Sequence, residues 1–523
     1  MGMSGRLLRP LATGFTPRSI SGLAAWWDAS DAASITTVSG AVSQWNDKSG
    51  NGLHATQTTA NNRPVNTSQT LNGRAVMTFD GSNDIMSFAG TARTDETQFV
   101  VVRNNMVAGG VSTQQIIGSG ASGFGLAATI KNDGSVNSDL WAYCGGFVVG
   151  TTTARYSFSA NNPFGPAVVA AIRSSASGGI LRTDGVQRAT CTTSNSYALA
   201  SIGGAGASFP LNGYIAEIVV YSRALSVAEV QRVERYLGAK WGITLAPQVA
   251  NADAQDWVNR VYANGGTVSS ATANAVNMFC NAIDAAGIRD RFYRLNLFCG
   301  TGLPACLVPL YRGASLGGTQ YGNTTDTNQN FVGGDYSESG GLTSNAASTK
   351  ALATGVMPME SGSPLFNYGH YFAHVIALPT ARSSVMGVRK DPAPANRHAF
   401  QLDSTGRIWG DWCHQNRFNG VASGVSAGKT IILQAAQVAN ATQVYASGSL
   451  TLTGAIGTFT GTASQGAAIF AARGDFGSGF QTSDFSTMTI GAYSIGLDFT
   501  AAQALAYHTA YAALAAALGR TIA

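Results

Sequence analysis

The sequence predicts a mainly β protein whose two halves are each a β-sandwich closed by a helix. Three observations lead to this prediction. The 523 residues include 63 glycines and only 11% are charged, and the composition is rich in turn-forming and strand-forming residues. Short apolar runs separated by turn residues recur through both halves, which is typical of sandwiches and barrels. Both halves also end with the same succession of strand, capped helix and glycine.

The first half carries its clearest strand signals between positions 75 and 221. Apolar and β-branched residues are concentrated in 75–79, 99–103, 167–172 and 213–221, and turn residues such as Asp80-Gly81 follow them. Such segments favour strands because branched and aromatic side chains fit a pleated, half-buried surface. In the second half, comparable segments include 371–376, 430–433 and 487–493.

The closing helices are predicted from capping boxes. Ser226 is followed three residues later by Glu229, and Thr500 by Gln503. In this motif each side chain satisfies a free backbone N–H at the start of a helix. We therefore expect one helix from 227 to about Gly242 and a second one from 501 to about 519.

These signals divide the chain into four segments. The first contains arginines and prolines with few apolar residues, so we expect an extended arm without a core of its own. Two helical patterns closed by glycines separate the strand-rich halves. The predicted segments are an arm (1–20), a first sandwich (21–246), a short helical connector (247–297) and a second sandwich (298–523).

Charge and cysteine usage exclude several protein classes. No dense Lys/Arg run predicts nucleic-acid binding, and no apolar stretch reaches the ~20 residues that a membrane-spanning helix requires. Six scattered cysteines without a C-x-x-C pair do not form a disulfide framework, so we expect the chain to fold in a cytoplasm.

The choice among charged residue types is informative as well. The chain has six lysines and six glutamates, so arginine and aspartate dominate. Lysine and glutamate are depleted from protein interfaces, whereas arginine is enriched there. This bias favours a surface covered by neighbouring subunits, and hence a homo-oligomer, although a GC-rich coding genome would leave the same bias.

Several spaced motifs resemble one family. Residues 21–37 (SGLAAWWDASDAASITT), 42–57 (VSQWNDKSGNGLHATQ), 72–86 (NGRAVMTFDGSNDIM) and 213–245 are similar to the concanavalin A-like, or laminin-G-like, jelly roll found in tailed-bacteriophage virions. The second half resembles this group more loosely, through 339–355 and the LGR ending. The resemblance implies tandem concanavalin A-like jelly-roll sandwiches, each closed by a C-terminal helix.

The resemblance also implies a function. It is that of a non-enzymatic virion structural protein, either a capsid-associated (decoration) or a tail component, which is assembled in the host cytoplasm. Its partners would be other capsid or tail subunits, with a host-surface glycan as a further partner. Since the family also contains lectins and glucanases, a carbohydrate-binding receptor-binding protein and a glycoside hydrolase are the alternatives.

The hydrolase alternative requires two carboxylates on either side of the scissile bond. Concanavalin A-like glucanases place them in E-x-D-x-x-E, but none of the six glutamates has an aspartate two residues later. We therefore predict no catalytic residues and no enzymatic activity, while two acidic residues far apart in sequence could still form a pair.

Metal sites are also considered. His370 and His374 are spaced like zinc ligands, but four residues apart on a strand they stand roughly 13 Å from each other, so we expect half-buried strand histidines. Asp80, Asn83 and Asp84 could supply calcium ligands, as could Asp47 and Asn51, but these residue types also form turns. We predict turns, no metal and no cofactor, and leave calcium in the loops open.

Candidate ligand-binding residues lie in the second half. Trp409, Asp411, Trp412 and Asn416 combine the aromatic surfaces and the polar groups that sugars bind. On a strand, Trp409 and Asp411 would share one face, and Trp412 would lie on the other. The alternative is that the tryptophans belong to the core. Trp26, Trp27 and Trp45 are expected in the core between the sheets of the first half, where large aromatic side chains dominate burial.

Overall fold

A computed structural model shows a mainly β chain, as the sequence predicts, in two compact units with the boundary between Ala246 and Pro247. We call them unit 1 and unit 2. The structure describes residues 15–105, 113–119, 124–130, 137–144, 149–161, 164–205, 209–313, 324–344, 349–358, 360, 362–365, 368–389, 397–412, 418–422, 425–455, 467–474, 481–483 and 485–523. Within these ranges, no helix combines the length and the hydropathy that a membrane-spanning segment requires.

Unit 1 contains eighteen strands and one α-helix in its described residues. They are β1 (Leu23–Asp28), β2 (Ile35–Val38), β3 (Ala41–Trp45), β4 (Ala55–Thr56), β5 (Thr70–Leu71), β6 (Arg74–Ala75), β7 (Met77–Asp80), β8 (Met86–Ser87), β9 (Glu96–Asn104), β10 (Thr113–Gly118), β11 (Phe124–Ile130), β12 (Asn137–Cys144), β13 (Thr153–Asn161), β14 (Phe164–Ser174), β15 (Gly178–Thr183), β16 (Val186–Cys191), β17 (Ser201–Ile202), β18 (Asn212–Tyr221) and α1 (Val227–Trp241).

Two antiparallel sheets of unit 1 share one hydrophobic core. Sheet 1A has the order β1-β18-β9-β14-β15-β16 with β7 beside β18, and sheet 1B has the order β13-β12-β11-β10-β17-β8-β4-β3-β2. Trp27 and Val100 of sheet 1A and Val42 and Ile116 of sheet 1B line this core. Apolar side chains from both sheets therefore pack between them, as in a β-sandwich.

The tryptophans of unit 1 occupy two different layers. Trp27 and Trp45 lie in the core between the sheets. Trp26 instead packs with Leu237 and Trp241 of α1, because successive residues of a strand point to opposite faces. The expectation that Trp26 lines the inter-sheet core is therefore wrong, and it contributes to a second core between sheet 1A and the helix.

Helix α1 begins and ends where its sequence predicts. Ser226 accepts a hydrogen bond from the backbone N–H of Glu229, and the Glu229 carboxylate accepts one from the N–H of Ser226 at 2.9 Å. At the other end, Gly242 adopts a left-handed conformation with φ of +69°. Glycine takes this conformation without steric cost, so the chain turns away from the helix here.

Part of the predicted arm packs on unit 1. The Phe15 ring lies 5.7 Å from the ring of Tyr236, the carbonyl of Pro17 accepts a hydrogen bond from the Tyr221 hydroxyl at 2.9 Å, and Ile20 is buried. Residues 15–20 thus contact the surface around α1. The rest of the predicted arm lies outside the described residues.

Unit 2 contains eighteen strands and four α-helices in its described residues. They are α2 (Ala252–Ala263), α3 (Ser270–Ala285), β19 (Phe292–Asn296), α4 (Gly302–Cys306), β20 (Tyr311–Arg312), β21 (Thr327–Gln329), β22 (Tyr336–Ser337), β23 (Gly341–Thr343), β24 (Ala351–Ala353), β25 (Gly369–Ala377), β26 (Ser383–Arg389), β27 (Arg397–Leu402), β28 (Arg407–Trp412), β29 (Phe418–Ala422), β30 (Lys429–Ala436), β31 (Ala441–Ala446), β32 (Ser449–Ala455), β33 (Ala468–Ile469), β34 (Ala472–Gly474), β35 (Gln481–Ser483), β36 (Thr489–Gly496) and α5 (Ala501–Ala517).

Two large sheets also make up unit 2. Sheet 2A has the order β20-β19-β36-β25-β30-β31-β32 with β23 and β22 at its side, and sheet 2B has the order β21-β24-β33-β26-β27-β28-β29 with β34 and β35 at its side. Tyr371 and Ile431 of sheet 2A pack with Phe400 and Ile408 of sheet 2B. These side chains form a core between the two sheets.

The other face of sheet 2A is covered by helices. The ring of Tyr507 in α5 lies 4.6 Å from Phe372 of β25 and 4.9 Å from Phe292 of β19. Phe279 of α3 belongs to the same hydrophobic cluster. The helices of segment 247–297 therefore contribute to the core of unit 2 instead of forming a free link.

Two fully buried histidines of β25 lie under the C-terminal segment, and one of them, His374, contacts α5 directly. The ring nitrogens of His370 contact the carbonyl of Leu497 and the hydroxyl of Ser494, both at 2.7 Å, and His374 Nδ1 contacts the Tyr511 hydroxyl at 3.0 Å. Burial lowers the pKa of His370 to about 3 and that of His374 to about 4. Both imidazoles are therefore neutral near pH 7.

These histidines predict that acid destabilises unit 2. A histidine whose pKa is lower in the folded than in the unfolded chain binds fewer protons when folded, so stability is complete above an unfolded pKa of about 6.5 and is lost as pH falls toward 4. Urea unfolding between pH 7.5 and 5 should show this decrease. The matched variant His370→Gln should show a shallower dependence, and imidazole NMR signals should show both rings neutral at pH 5. Stability that is flat across this range, with both rings titrating near pH 6.5, would contradict the assignment.

Candidate functional site

Trp409 lies on the face of β28 that points away from the core of unit 2. Its neighbour Ile408 is fully buried in that core, so the alternation of a strand places the indole on the opposite face, where it is half-buried. The Arg382 guanidinium stands 4.9 Å from the centre of the Trp409 ring. An arginine and an aromatic ring at this distance attract each other by a cation–π interaction.

Polar groups lie beside this ring across three neighbouring strands. Gln401 of β27 is opposite both Trp409 and Ser384 in the strand register. Its side-chain oxygen accepts hydrogen bonds from Arg382 at 3.1 and 2.8 Å, and its side-chain nitrogen donates to the Ser384 hydroxyl at 3.2 Å. We call Trp409, Arg382, Gln401 and Ser384 the Trp409 surface. Gln401 and Ser384 are buried, at 3% and 0% exposure, so the groups that this surface presents are the half-buried indole and the exposed guanidinium.

The other candidate residues are placed less completely. Asp411 and Trp412 belong to β28 and are opposite Ala399 and His398 of β27, but their side chains lie outside the described part of the structure, as does all of Asn416. The sequence did not point to Arg382 or Gln401. Strand register places Gln401 opposite the tryptophan, Arg382 reaches it from just before β26, and no local motif marks either residue.

Two carboxylates come together in unit 1, between sheet 1A and α1. Asp28 ends β1 and Glu217 lies in β18, and the two positions are opposite each other in the strand register. Lys240 Nζ is 2.8 Å from Asp28 Oδ2 and 2.7 Å from Glu217 Oε2. A second lysine also contacts Asp28, with Lys48 Nζ 2.9 Å from Asp28 Oδ2. A lysine ammonium thus occupies the space between the two acids.

The remaining hydrogen-bonding capacity of Glu217 is also used. Its carboxylate accepts hydrogen bonds from Trp26 Nε1 and Trp241 Nε1, both at 2.7 Å, and from the Tyr236 hydroxyl at 2.9 Å. Burial raises the pKa of Glu217 although Lys240 opposes this. Burial would also raise the pKa of Asp28, but Lys240, Ser30 and Lys48 together lower it.

This arrangement is chemically suited to holding α1 on the sheet. A glycosidase needs room between its two carboxyl groups for the sugar and the attacking group, whereas Lys240 fills that room. Glu217 is fully buried and Asp28 nearly so. Sequence reasoning missed the pair because its members are far apart in the chain and no E-x-D-x-x-E motif contains them.

Glu217 is not the only buried glutamate of unit 1. Three of the six in the chain, at positions 96, 217 and 234, are fully buried. Glu96 pairs with Arg173 at 2.8 Å, and Glu234 of α1 forms a bidentate pair with Arg182 of β15 at 2.8 and 3.0 Å. Lysine and arginine side chains therefore neutralise the buried acids of unit 1. Three of the six glutamates in the chain are in such buried pairs.

The loops considered for calcium are explained by turns. The Asp47 carboxylate accepts hydrogen bonds from the backbone N–H groups of Trp26, Ser49 and Leu53 at 2.9, 2.8 and 3.1 Å. Asp80 Oδ1 likewise accepts one from the N–H of Ser82 at 2.8 Å. Among the described residues, no group of three or more His, Cys, Asp or Glu side chains is placed to hold a metal ion.

Asp84 is next to Asp80 in the second of these loops. It accepts a hydrogen bond from the backbone N–H of Asp80 at 3.0 Å. Burial and the charge of Asp80 raise the pKa of Asp84 to about 6.

The two histidines that are spaced like zinc ligands, His370 and His374, bind protein groups through their ring nitrogens, which leaves them no role as a zinc pair.

Comparison with known proteins gives no family assignment. No known sequence family matches the chain, and no curated protein matches it. Solved structures do show similarities. One is domain 4 of AbnA, an extracellular arabinanase from Geobacillus stearothermophilus, with 14% identity and a TM-score of 0.28 over 40% of this chain and 98% of that one.

Two further solved structures are similar to the same degree. The Trypanosoma rangeli sialidase has 14% identity and a TM-score of 0.28 over 42% of this chain. An arabinofuranosidase complexed with arabinofuranosyl-α-1,2-xylobiose has 14% identity and a TM-score of 0.27 over 40% of this chain. The chain spans 33% of the sialidase and 53% of the arabinofuranosidase. At these scores the similarities carry no argument about the activity of this chain.

Proposed function

We propose that the chain is a non-enzymatic structural protein of a tailed-bacteriophage virion, either a capsid-associated (decoration) or a tail component. The virion role rests on the resemblance of residues 21–245 to jelly rolls of such particles. The non-enzymatic character rests on one observation above all, the Lys240 ammonium between Asp28 and Glu217. Asp28 and Glu217 hold the helix through Lys240, which leaves no space between them for a substrate.

The fold proposal is a tandem of concanavalin A-like jelly rolls, each closed by its last helix. In each unit, two large sheets share a core. In each unit, a long strand runs directly into a capped helix, β18 into α1 and β36 into α5. Both helices cover the outer face of the sheet that contains that strand.

In this proposal the outer surfaces provide assembly contacts with copies of the chain and with other capsid or tail subunits. Several large apolar side chains are exposed, among them Val438 at 92% and Met278 at 69% exposure. The net charge is only +5 over 523 residues, so electrostatic repulsion between copies is weak.

Self-association tests the structural role. Purified full-length chain should sediment as an oligomer or bind virion shells that lack it, and added salt should change this little, because screening acts on charged contacts. The variants Val438→Asp and Met278→Asp test two apolar contacts, with the exposed Thr451→Asp as the matched control. A chain that stays monomeric at its highest attainable concentration and does not bind shells would contradict the proposal.

Carbohydrate binding at the Trp409 surface is the second candidate function. The half-buried indole beside the exposed Arg382 guanidinium favours it. Sugars bind proteins through aromatic stacking together with hydrogen bonds from planar polar groups. On the virion, such a site would contact a host-surface glycan.

A glycan array tests this second function. If the chain binds a glycan, Trp409→Ala should weaken binding by about tenfold or more, the range expected for removal of a central aromatic contact, and Trp409→Phe should retain part of it. Val421→Ala, on the neighbouring strand β29, is the matched control and should bind as the wild type does. An array without any bound glycan, or a Trp409→Ala variant of unchanged affinity, would refute this function.

A further inference from the structure

Two buried cysteine thiols lie side by side where the two sheets of unit 1 approach each other. Cys144 ends β12 of sheet 1B, and Cys191 ends β16 of sheet 1A. A Cβ atom placed on Gly179 would lie 2.2 Å from the Cys144 sulfur and 2.7 Å from the Cys191 sulfur. Both sulfurs therefore occupy the space that a side chain at position 179 would fill, and they are immediate neighbours.

Backbone hydrogen bonds hold the two strand ends together. The N–H of Thr192 donates to the carbonyl of Gly150 at 3.0 Å, and the N–H of Asn195 donates to the carbonyl of Cys144 at 2.7 Å. These bonds connect the segment after β16 with the hairpin between β12 and β13. The approach of the cysteines is thus fixed by the backbone and does not depend on the thiols.

The two thiols have different chemical characters. The interaction of the two neighbouring sulfurs lowers the pKa of Cys191 to about 7 and, together with burial, raises the pKa of Cys144. Each thiol also contacts a backbone carbonyl, Cys144 that of Ala142 at 3.7 Å and Cys191 that of Thr193 at 3.6 Å. Both cysteines are almost fully buried, Cys144 at 1% and Cys191 at 2% exposure, but the two residues beside Cys191, Thr190 and Thr192, are exposed. This is the asymmetry of a dithiol in which one sulfur attacks and the other resolves.

We propose that Cys144 and Cys191 are a modification site that forms a reversible disulfide between the two sheets of unit 1 on reaction with a small-molecule disulfide. The Cys191 thiolate attacks one sulfur of that reagent, forms a mixed disulfide and expels one thiolate. The Cys144 sulfur then loses its proton and attacks the Cys191 sulfur, and the second thiolate leaves. The protein loses two protons and two electrons, and the reagent becomes two thiols.

The disulfide closes a loop of about 47 residues, which restricts the unfolded chain. It should therefore raise the unfolding temperature of unit 1 by about 5–10 °C. The inference is independent of the proposed function, because it depends only on the contact between the two sulfurs.

Peptide mapping tests the proposal on the full-length chain. After incubation with glutathione disulfide and blocking of the remaining thiols with N-ethylmaleimide, trypsin should release peptide 132–155 linked to peptide 189–223. Dithiothreitol should separate them. The unfolding temperature of the oxidised chain should exceed that of the reduced chain by about 5–10 °C.

Two variants provide the comparison. Cys280→Ser removes a buried thiol of α3 in unit 2 and should leave the 144–191 link intact, whereas Cys191→Ser should abolish both the link and the rise in unfolding temperature. The mapping of the wild-type chain needs no variant to fold. Quantitative maleimide labelling of both cysteines after prolonged oxidation, or linkage of either one to a different cysteine, would overturn the proposal.

Discussion

The position of α1 on sheet 1A depends on a carboxylate that has no contact with water. Glu217 is fully buried, and a buried charge is tolerated only when it is paired and hydrogen-bonded. Its four donors come from Trp26 of β1 and from Tyr236, Lys240 and Trp241 of α1. One side chain thus connects the first strand, the last strand and the last helix of unit 1. Removing a partner from such a network leaves an uncompensated charge, which typically costs about 3–5 kcal/mol.

The same network determines which chemistry unit 1 can support. An acid that acts in catalysis must be reached by a substrate, whereas Asp28 and Glu217 are enclosed by tryptophan, tyrosine and lysine side chains. The bidentate pair between Arg182 and Glu234 adds a second buried connection between α1 and sheet 1A. These charged groups therefore belong to the packing of the helix, which agrees with the proposed structural role.

Unit 2 holds its last helix with buried histidines, tyrosines and an arginine and, in the described part of the chain, without a buried carboxylate like Glu217. His370 binds Ser494, whose hydroxyl also accepts a hydrogen bond from Tyr507 of α5, and His374 binds Tyr511. Beyond the helix, the buried Arg520 donates to the backbone carbonyls of Leu297, Gly491 and Phe298. The two units thus share the order of strand and capped helix but differ in the chemistry that fixes the helix.

Local features of the fold could be predicted from the sequence, and long-range ones could not. The capping boxes at Ser226 and Thr500 depend on residues three apart, so the sequence displays them directly. Strand alternation is local too, although it did not reveal that the outward face of Trp26 is covered by α1. Strand register places Asp28 opposite Glu217 and Gln401 opposite Trp409, and the sequence spacing between these residues follows no fixed rule. Of the four candidate ligand-binding residues, Asp411 and Trp412 are placed only by their positions on β28.

Hydrogen exchange of α1 tests the central claim most directly, since the account makes Glu217 the connection between this helix and the sheet. In a Glu217→Ala chain, amides of residues 227–241 should exchange much faster than in the wild type, while those of β9 and β14 in the middle of sheet 1A retain their protection. Unchanged protection of α1 in this variant would contradict the account, because the helix would then be held without the buried carboxylate.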